Sequence, residues 1–191
     1  MTPTPQPKPP ARIRHVRPSD ADACARIEFV CYHGHGATRE RIARRTRTYS
    51  NGFFVALADR RVVGFINSAC VRQDDIGDER LKDLQGHDPR GKHRVIFSLA
   101  VDPAYQHRGI AGLLLRRFIR ASKRAGKASV LLICRRKLLP FYARFGFVYR
   151  RRSSATYGGF TWHEMALTLA DGTPAAADRR VAKNRQRKSI V

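Results

Sequence analysis

The chain has 191 residues, of which 42% are apolar and 9% aromatic, a composition typical of one globular domain of ordinary size. Its 38 lysines and arginines against 15 aspartates and glutamates give a formal net charge of +23, which predicts attraction to polyanions. No apolar run approaches the ~20 residues that cross a bilayer, and the start lacks the apolar core of a signal peptide, so we expect a cytoplasmic protein.

Composition divides the chain into three segments. The prolines of the first ten residues predict an extended, disordered leader over 1–11. Residues 12–169 carry the periodic apolar patterns of a folded domain. Polar and basic residues dominate from there on, and we expect a disordered basic tail over 170–191. The tail is a candidate binding segment for nucleic acid or another acidic partner.

The cysteines are scattered along the chain without the CxxC spacing of zinc sites or disulfide frameworks. They are Cys24, Cys31, Cys70 and Cys134. We expect reduced, buried thiols and no bound metal.

The domain begins with a strand and a helix. Alternating side chains predict a strand over 11–17, and Pro18-Ser19-Asp20 predicts a helix start with Ser19 as N-cap. The helix is expected to run to about Tyr32, because Glu28 and its apolar neighbours recur at helical spacing.

A second helix and two strands follow. The helix over 38–49 is rich in arginine, and strands are predicted over 53–58 and 61–72. Asp59-Arg60 between them is typical of a tight hairpin turn. The next connection, 73–92, is predicted to be a loop with a short helix near its middle.

That connection is unusually acidic for so basic a chain, because it holds six of the 15 acidic residues. They are Asp74, Asp75, Asp78, Glu79, Asp83 and Asp88.

The second half of the domain predicts a mixed α/β sheet, since strands and helices alternate before a final hairpin. The predicted elements are a central strand over 95–101, a helix over 109–125 closed by Gly126, a strand over 128–134, a short helix over 138–145, and hairpin strands over 147–151 and 160–168.

The segment from Val101 to Gly112 leads from a strand directly into a helix. Small residues at 109, 111 and 112 leave backbone N–H groups uncovered at the helix start, where the helix dipole is positive. This arrangement is typical of a pyrophosphate site, and Arg108 adds positive charge beside it.

Two motifs connect this loop with a known family. Gln106-x-x-Gly109-x-Ala111, preceded by Ser98-Leu99-Ala100-Val101, resembles the acetyl-CoA signature of the GCN5-related N-acetyltransferase (GNAT) superfamily. The segment 140–147 resembles the second signature of that superfamily. The stretches 79–91 and 160–165 are similar to the serotonin (arylalkylamine) N-acetyltransferase branch. The similarity covers about residues 12–169.

The resemblance implies a GNAT-like α/β fold: a mixed, mostly antiparallel sheet with a central splayed parallel strand pair, flanked by helices. It implies acetyl-CoA as co-substrate, bound between the strands over 95–101 and 128–134. Tyr142 would donate a proton or a hydrogen bond to the departing CoA thiolate, because a phenol with a pKa of about 10 is protonated at neutral pH. The implied cofactor-binding residues are Leu99, Ala100 and Val101 for the pantetheine arm, and His107, Arg108, Gly109, Ile110, Ala111 and Gly112 for the pyrophosphate.

One part of the branch pattern is absent. Val95 and Phe97 stand where the vertebrate enzymes of the branch carry a pair of histidines that relays the proton of the amine, so the chain resembles the non-vertebrate type. A protonated amine cannot attack a thioester, and another group must accept its proton. The candidate bases are His93, Glu28, Asp74, Asp75 and Glu164.

The expected activity is transfer of acetyl from acetyl-CoA to a small primary amine, by direct attack in a ternary complex. An acidic connection beside the acceptor cleft would attract an arylalkylamine, diamine or polyamine; the alternative is that its carboxylates balance nearby arginines. A protein lysine or N-terminal acetyltransferase and a basic, nucleic-acid-binding GNAT-like protein also remain open. We expect a monomer or weak dimer without membrane insertion.

Overall fold

The computed structural model describes residues 11–74 and 76–169. Apart from Ala11, the predicted leader and the predicted tail lie outside the described residues. Within the described ranges, seven strands form one sheet in the order β1-β2-β3-β4-β5-β7-β6. The strands are β1 (Arg12–His15), β2 (Phe54–Ala58), β3 (Arg61–Val71), β4 (His93–Val101), β5 (Ser129–Cys134), β6 (Val148–Arg152) and β7 (His163–Thr168).

Neighbouring strands are antiparallel except for β4 and β5, which are parallel. The helices of the described part are α1 (Ala21–Cys31), α2 (Arg39–Thr48), α3 (Ile110–Arg124) and α4 (Leu139–Ala143). One core joins α3 to one face of the sheet through Leu114, Leu115 and Phe118. A second core joins α1 and α2 to the opposite face through Ile27 and Ile42. The predicted fold class is therefore confirmed.

A β-bulge at Phe97 opens the centre of the sheet. Asn67 of β3 is opposite Ser98, whereas its neighbour Ser68 is opposite Ile96, so Phe97 is the extra residue of β4. The bulge breaks the normal alternation of the strand. Phe97 packs in the cluster with Val95 and Leu131, while the next residue, Ser98, contacts Glu28 of α1 on the same side of the sheet.

The bulge also marks the end of the parallel pairing. The two strands pair from His93 with Ser129 to Ile96 with Leu132, and they separate beyond that point. The gap lies between the carboxyl halves of β4 and β5, where the resemblance placed the splayed pair.

Several predicted boundaries need correction. Ser19 is not the N-cap of α1, because Pro18–Asp20 forms a 3-10 turn and the helix begins after Asp20. The Asp20 carboxylate instead accepts from the Arg17 backbone N–H at 2.7 Å and pairs with Arg14 at 2.6 Å. The last strand begins at His163 rather than at 160, since a 3-10 turn at Tyr157–Gly159 precedes it.

The predicted hairpin turn between β2 and β3 is confirmed. Asp59 and Arg60 both have positive φ, 50° and 63°, as the type I′ turn of a two-residue hairpin requires. Thr38 caps α2 by accepting a hydrogen bond from the Arg41 N–H at 3.3 Å. Among the helices of the described ranges, none has the length and apolar character needed to cross a membrane.

Candidate active site

A cavity of about 520 Å³ crosses the gap between β4 and β5. Its walls come from the end of α1 and the connection that follows, from α2, from the 76–83 segment, and from the loop before β7. Ser98 and Leu99 of β4 line one side, and Cys134 and Tyr142 line the other. This volume is within the range of small-molecule sites.

Glu28 lies on the α1 side of the cavity and is 3% exposed. Its Oε1 accepts hydrogen bonds from the Ser98 hydroxyl at 2.8 Å and from the Ala37 backbone N–H at 3.0 Å. Its Oε2 is buried without a hydrogen-bond partner. Burial raises the pKa of Glu28, although the two donors and the charge of Arg45 oppose that rise. A carboxylate with a raised pKa is a stronger base, which suits it to accept a proton.

Gly36 lets the α1–α2 connection pass directly over the Glu28 carboxyl group. A Cβ at this position would lie 2.6 Å from Cγ of Glu28, closer than real contacts allow. We therefore expect Gly36→Ala to displace the Glu28 side chain and to lower kcat by about tenfold or more in steady-state assays, because small misplacements of a catalytic group are costly. The same change should add no further loss in a Glu28→Gln background; additive losses would contradict a role through Glu28.

Tyr142 of α4 lies across the gap from Glu28 and is 7% exposed. Burial holds the pKa of the Tyr142 phenol well above its usual value, with a smaller contribution from Cys134, so the hydroxyl stays protonated at neutral pH. Burial also raises the pKa of the Cys134 thiol to about 11, which makes it a poor nucleophile. Tyr142 is therefore a candidate proton donor and Cys134 a core thiol.

The loop before α3 has the backbone shape of an anion site. His107 and Gly109 both have positive φ, 59° and 77°, and Gly109 is the N-cap of α3. The Leu113 N–H is bonded to the Gly109 carbonyl at 3.0 Å, so the N–H groups of 110–112 precede the helical ladder. No acidic residue lies in this first turn. Arg108 folds back and donates to the Ala104 carbonyl at 2.7 Å. The residues of this loop thus fit a pyrophosphate.

The three residues predicted to bind the pantetheine arm lie on β4 beyond the bulge. Leu99 lines the cavity, while Ala100 is buried against β3 and the α1 core. The Val101 carbonyl accepts hydrogen bonds from Cys31 Sγ at 3.2 Å and from Gln106 Nε2 at 2.9 Å. The binding role of this strand stays a prediction.

The other candidate bases lie away from the cavity lining. His93 is at the paired end of β4, where its Nδ1 is 2.8 Å from the Ser129 hydroxyl, and burial lowers the pKa of its imidazole. Asp74 is exposed and pairs with Arg150 at 2.9 Å. Glu164 is 1% exposed and pairs with Arg151 at 3.0 Å. Asp75 lies outside the described residues. Among the described candidates, Glu28 lines the cavity and these three do not.

The acidic connection is largely matched by arginines. All four of its carboxylates that the structure describes form ion pairs: Asp74 with Arg150, Asp78 with Arg80, Asp83 with Arg41, and Asp88 with Arg72 and Arg90. Two of them, Asp78 and Asp83, line the cavity. The arrangement favours the second interpretation of this segment, in which its carboxylates balance nearby arginines.

Two residues that line the cavity, Arg45 and Ser98, were not among the predicted site residues. Arg45 is 2% exposed and lines the cavity from α2. The sequence does indicate that Arg45 is buried, because it falls at helical spacing on the same face of α2 as the buried Ile42, Thr46 and Tyr49. Ser98 has no such signal, since its orientation depends on the bulge.

Known proteins share this architecture. The chain is 26% identical over 170 residues to serotonin N-acetyltransferase from Mesocricetus auratus, covering 84% of this chain and 79% of that protein. Its structure is similar to the GphF GNAT-like decarboxylase in complex with isobutyryl-CoA, with a TM-score of 0.75 and 23% identity over 83% of this chain and 100% of that one. YncA from Salmonella typhimurium, with its cofactor acetyl-CoA, gives a TM-score of 0.64 and 17% identity over 89% and 100% of the two chains.

Among the residues that the structure describes, no group of three histidine, cysteine, aspartate or glutamate side chains is arranged to hold a metal ion. The model of a family described as "Acetyltransferase (GNAT) family" matches residues 21–147. Because this match spans more than half of the sequence, the chain belongs to the acetyltransferase (GNAT) family and is an acetyltransferase.

Proposed function

We propose that this acetyltransferase moves acetyl from acetyl-CoA to a small primary amine by direct attack within a ternary complex. The observation that carries the proposal is that Glu28 and Tyr142 both line the cavity that crosses the gap between β4 and β5. The first turn of α3 would bind the pyrophosphate of acetyl-CoA, and Leu99 and Val101 its pantetheine arm. The structural relative YncA, which contains acetyl-CoA, supports this choice of donor.

The protons lost by the amine and gained by the thiolate can then be assigned to named groups. The ammonium of the acceptor gives a proton to Glu28, whose pKa is raised by burial. The neutral amine attacks the thioester carbonyl, a C–N bond forms, and the C–S bond breaks. The departing thiolate takes a proton from the Tyr142 phenol. The second proton lost by the attacking nitrogen passes through water to the Tyr142 phenolate, and the proton on Glu28 is released to solvent.

Tyr142→Phe should lower kcat by about 10²-fold and leave the affinity for acetyl-CoA nearly unchanged, because it removes a proton donor and keeps the ring. Steady-state kinetics and equilibrium binding of acetyl-CoA measure the two quantities. Tyr149→Phe, on the exposed face of β6, is the matched control. If Tyr142→Phe kept full turnover while Tyr32→Phe lost it, the donor would be Tyr32, which also lines the cavity.

Among small amines, the cavity favours an arylalkylamine over a diamine or polyamine. Aromatic side chains at Phe97, Tyr157, Phe160 and Trp162 line it. The carboxylates that would attract a polyamine, Asp78 and Asp83, are already bonded to arginines. The similarity to serotonin N-acetyltransferase supports the same acceptor class.

A thiol-release assay with acetyl-CoA tests the proposal. The panel is tryptamine, phenethylamine, putrescine, spermidine, a lysine peptide and a buffer blank, and we expect release with the aromatic amines. Release with the peptide alone would indicate a protein acetyltransferase. No release with any of these acceptors or with an aromatic α-amino acid, although acetyl-CoA binds, would overturn amine transfer.

A further inference from the structure

Arg45 is a buried cation whose hydrogen bonds are incomplete. Its Nη2 donates to the Lys82 carbonyl at 2.8 Å, and its guanidinium lies 4.6 Å from the centre of the Phe97 ring. Its Nε and Nη1 are buried without a hydrogen-bond partner. Burial lowers the pKa of Arg45 to about 10, so the group is still charged at neutral pH. A buried charge with unmade hydrogen bonds is costly unless an anion offsets it.

Glu28, which lines the same cavity, has an unpaired hydrogen-bond acceptor where Arg45 has unpaired donors. Its Oε2 is an acceptor without a donor, and Arg45 has two donors without an acceptor. The two groups attract each other electrostatically, but no direct ion pair joins them in the part of the chain that the structure describes. An occupant with an ammonium and a carboxylate would satisfy both groups at once.

The remaining charges of the cavity point in the same direction. Three carboxylates line its described part, Glu28, Asp78 and Asp83, and the latter two are paired with arginines. The basic lining residues are twice as many: Arg41, Arg45, Arg80, Lys82, Arg135 and Lys137. The surplus is positive, which disfavours a purely cationic acceptor.

We propose that the acceptor is an amine with a carboxylate beside its amino group, and specifically an aromatic α-amino acid. Its ammonium would face Glu28, its carboxylate would accept a hydrogen bond from Nη1 of Arg45, and its side chain would lie among the aromatic walls. This inference rests on the proposed transfer to an amine and narrows its substrate class. A hydrogen bond from a guanidinium to a carboxylate is charge-assisted, which makes it roughly twice as strong as a neutral one.

The first experiment compares matched acceptors with the wild-type protein. L-tryptophan and tryptamine differ only in the carboxylate, as do L-phenylalanine and phenethylamine. We expect kcat/KM to be about 10- to 100-fold higher for the amino acids, mainly through KM, since a charge-assisted hydrogen bond contributes binding. L-tryptophan methyl ester, which keeps the bulk and loses the charge, should fall to the level of tryptamine. A higher kcat/KM for tryptamine than for L-tryptophan would overturn the inference and leave amine transfer intact.

A second experiment assigns the preference to Arg45. Arg45→Gln should reduce the ratio of kcat/KM for L-tryptophan over tryptamine to about one. Arg41→Gln, one turn earlier on α2 and already bonded to Asp83, is the matched control and should keep the ratio. An equal loss in both variants would mean that the general field of the cavity, rather than Arg45, selects the carboxylate. If Arg45→Gln does not fold, the wild-type comparison still decides. If acetyl-CoA binds but no acceptor in either set releases thiol, amine transfer itself is wrong.

Discussion

Glu28→Gln should lower kcat by about 10²-fold or more, because it removes the group that we propose accepts the proton of the amine. The amide keeps the size of the carboxyl group, and its oxygen still accepts from the Ser98 hydroxyl and the Ala37 N–H. The affinity for acetyl-CoA should not change, since Glu28 lies far along the chain from the phosphate loop and on the opposite side of the sheet from α3. Steady-state kinetics and acetyl-CoA binding separate the two effects.

The pH dependence of kcat gives an independent check. In the wild type, kcat should decline as pH falls through the raised pKa of Glu28, because the protonated acid cannot accept a second proton. The glutamine variant should lack this acidic limb. If kcat declined over the same acidic pH range in both proteins, the titrating group would be one other than Glu28.

Stability distinguishes a catalytic role from a structural one. The folded-state pKa of Glu28 is raised above the unfolded value, so the folded protein binds the proton more tightly. By linkage, the free energy of unfolding falls as pH rises from the unfolded-state pKa to the folded-state pKa of Glu28. Above that range the loss of stability is complete, so it is present at neutral pH wherever the side chain is ionised. Glu28→Gln should therefore have an equal or higher Tm at neutral pH. A large drop in Tm together with lost activity would indicate that Glu28 holds α1 in place.

Gly109→Asp should weaken acetyl-CoA binding by about 10²-fold, because it adds a negative charge beside the proposed pyrophosphate site at the start of α3. The backbone at 109 has a φ of 77°, a region that aspartate and asparagine tolerate better than other side chains. A Cβ there meets no atom within 4 Å, so the change does not crowd the fold. Isothermal titration with acetyl-CoA measures the loss.

Gly109→Asn is the matched control for charge. It has the same shape and the same backbone strain, so its Kd should rise only a few-fold. The gap between the two variants should narrow at high salt, since exposed charges are screened. Normal binding of acetyl-CoA to Gly109→Asp would place the phosphate site elsewhere.

Local sequence patterns predicted much of the fold. The hairpin at Asp59 and Arg60 and the glycine after α3 are decided by residues next to one another in sequence, and both were predicted. Ser19 was misplaced as a cap because the carboxylate of Asp20 forms stronger, charge-assisted bonds with Arg14 and the Arg17 N–H.

The site was predictable in part, because its members come from distant segments. Glu28 and Ser98 are 70 residues apart, and only the packing of α1 on β4 brings them together. His93 precedes the predicted strand over 95–101 and belongs to β4 in the structure, yet its position at the paired end keeps it from the cavity. The partner of Asp74 is Arg150, 76 residues away, which a count of nearby charges does not reveal. Long-range pairings of this kind have no local signal.

The parallel pairing of β4 with β5 has a mechanical consequence. In the described residues, the parallel ladder that joins the half of the sheet carrying α1 and α2 to the half carrying α4 has four residue pairs, from His93 with Ser129 to Ile96 with Leu132. Glu28 belongs to the first half and Tyr142 to the second. The distance between the proposed proton acceptor and the proposed proton donor therefore depends on this parallel pairing, and a small shear along it would shift both groups relative to each other.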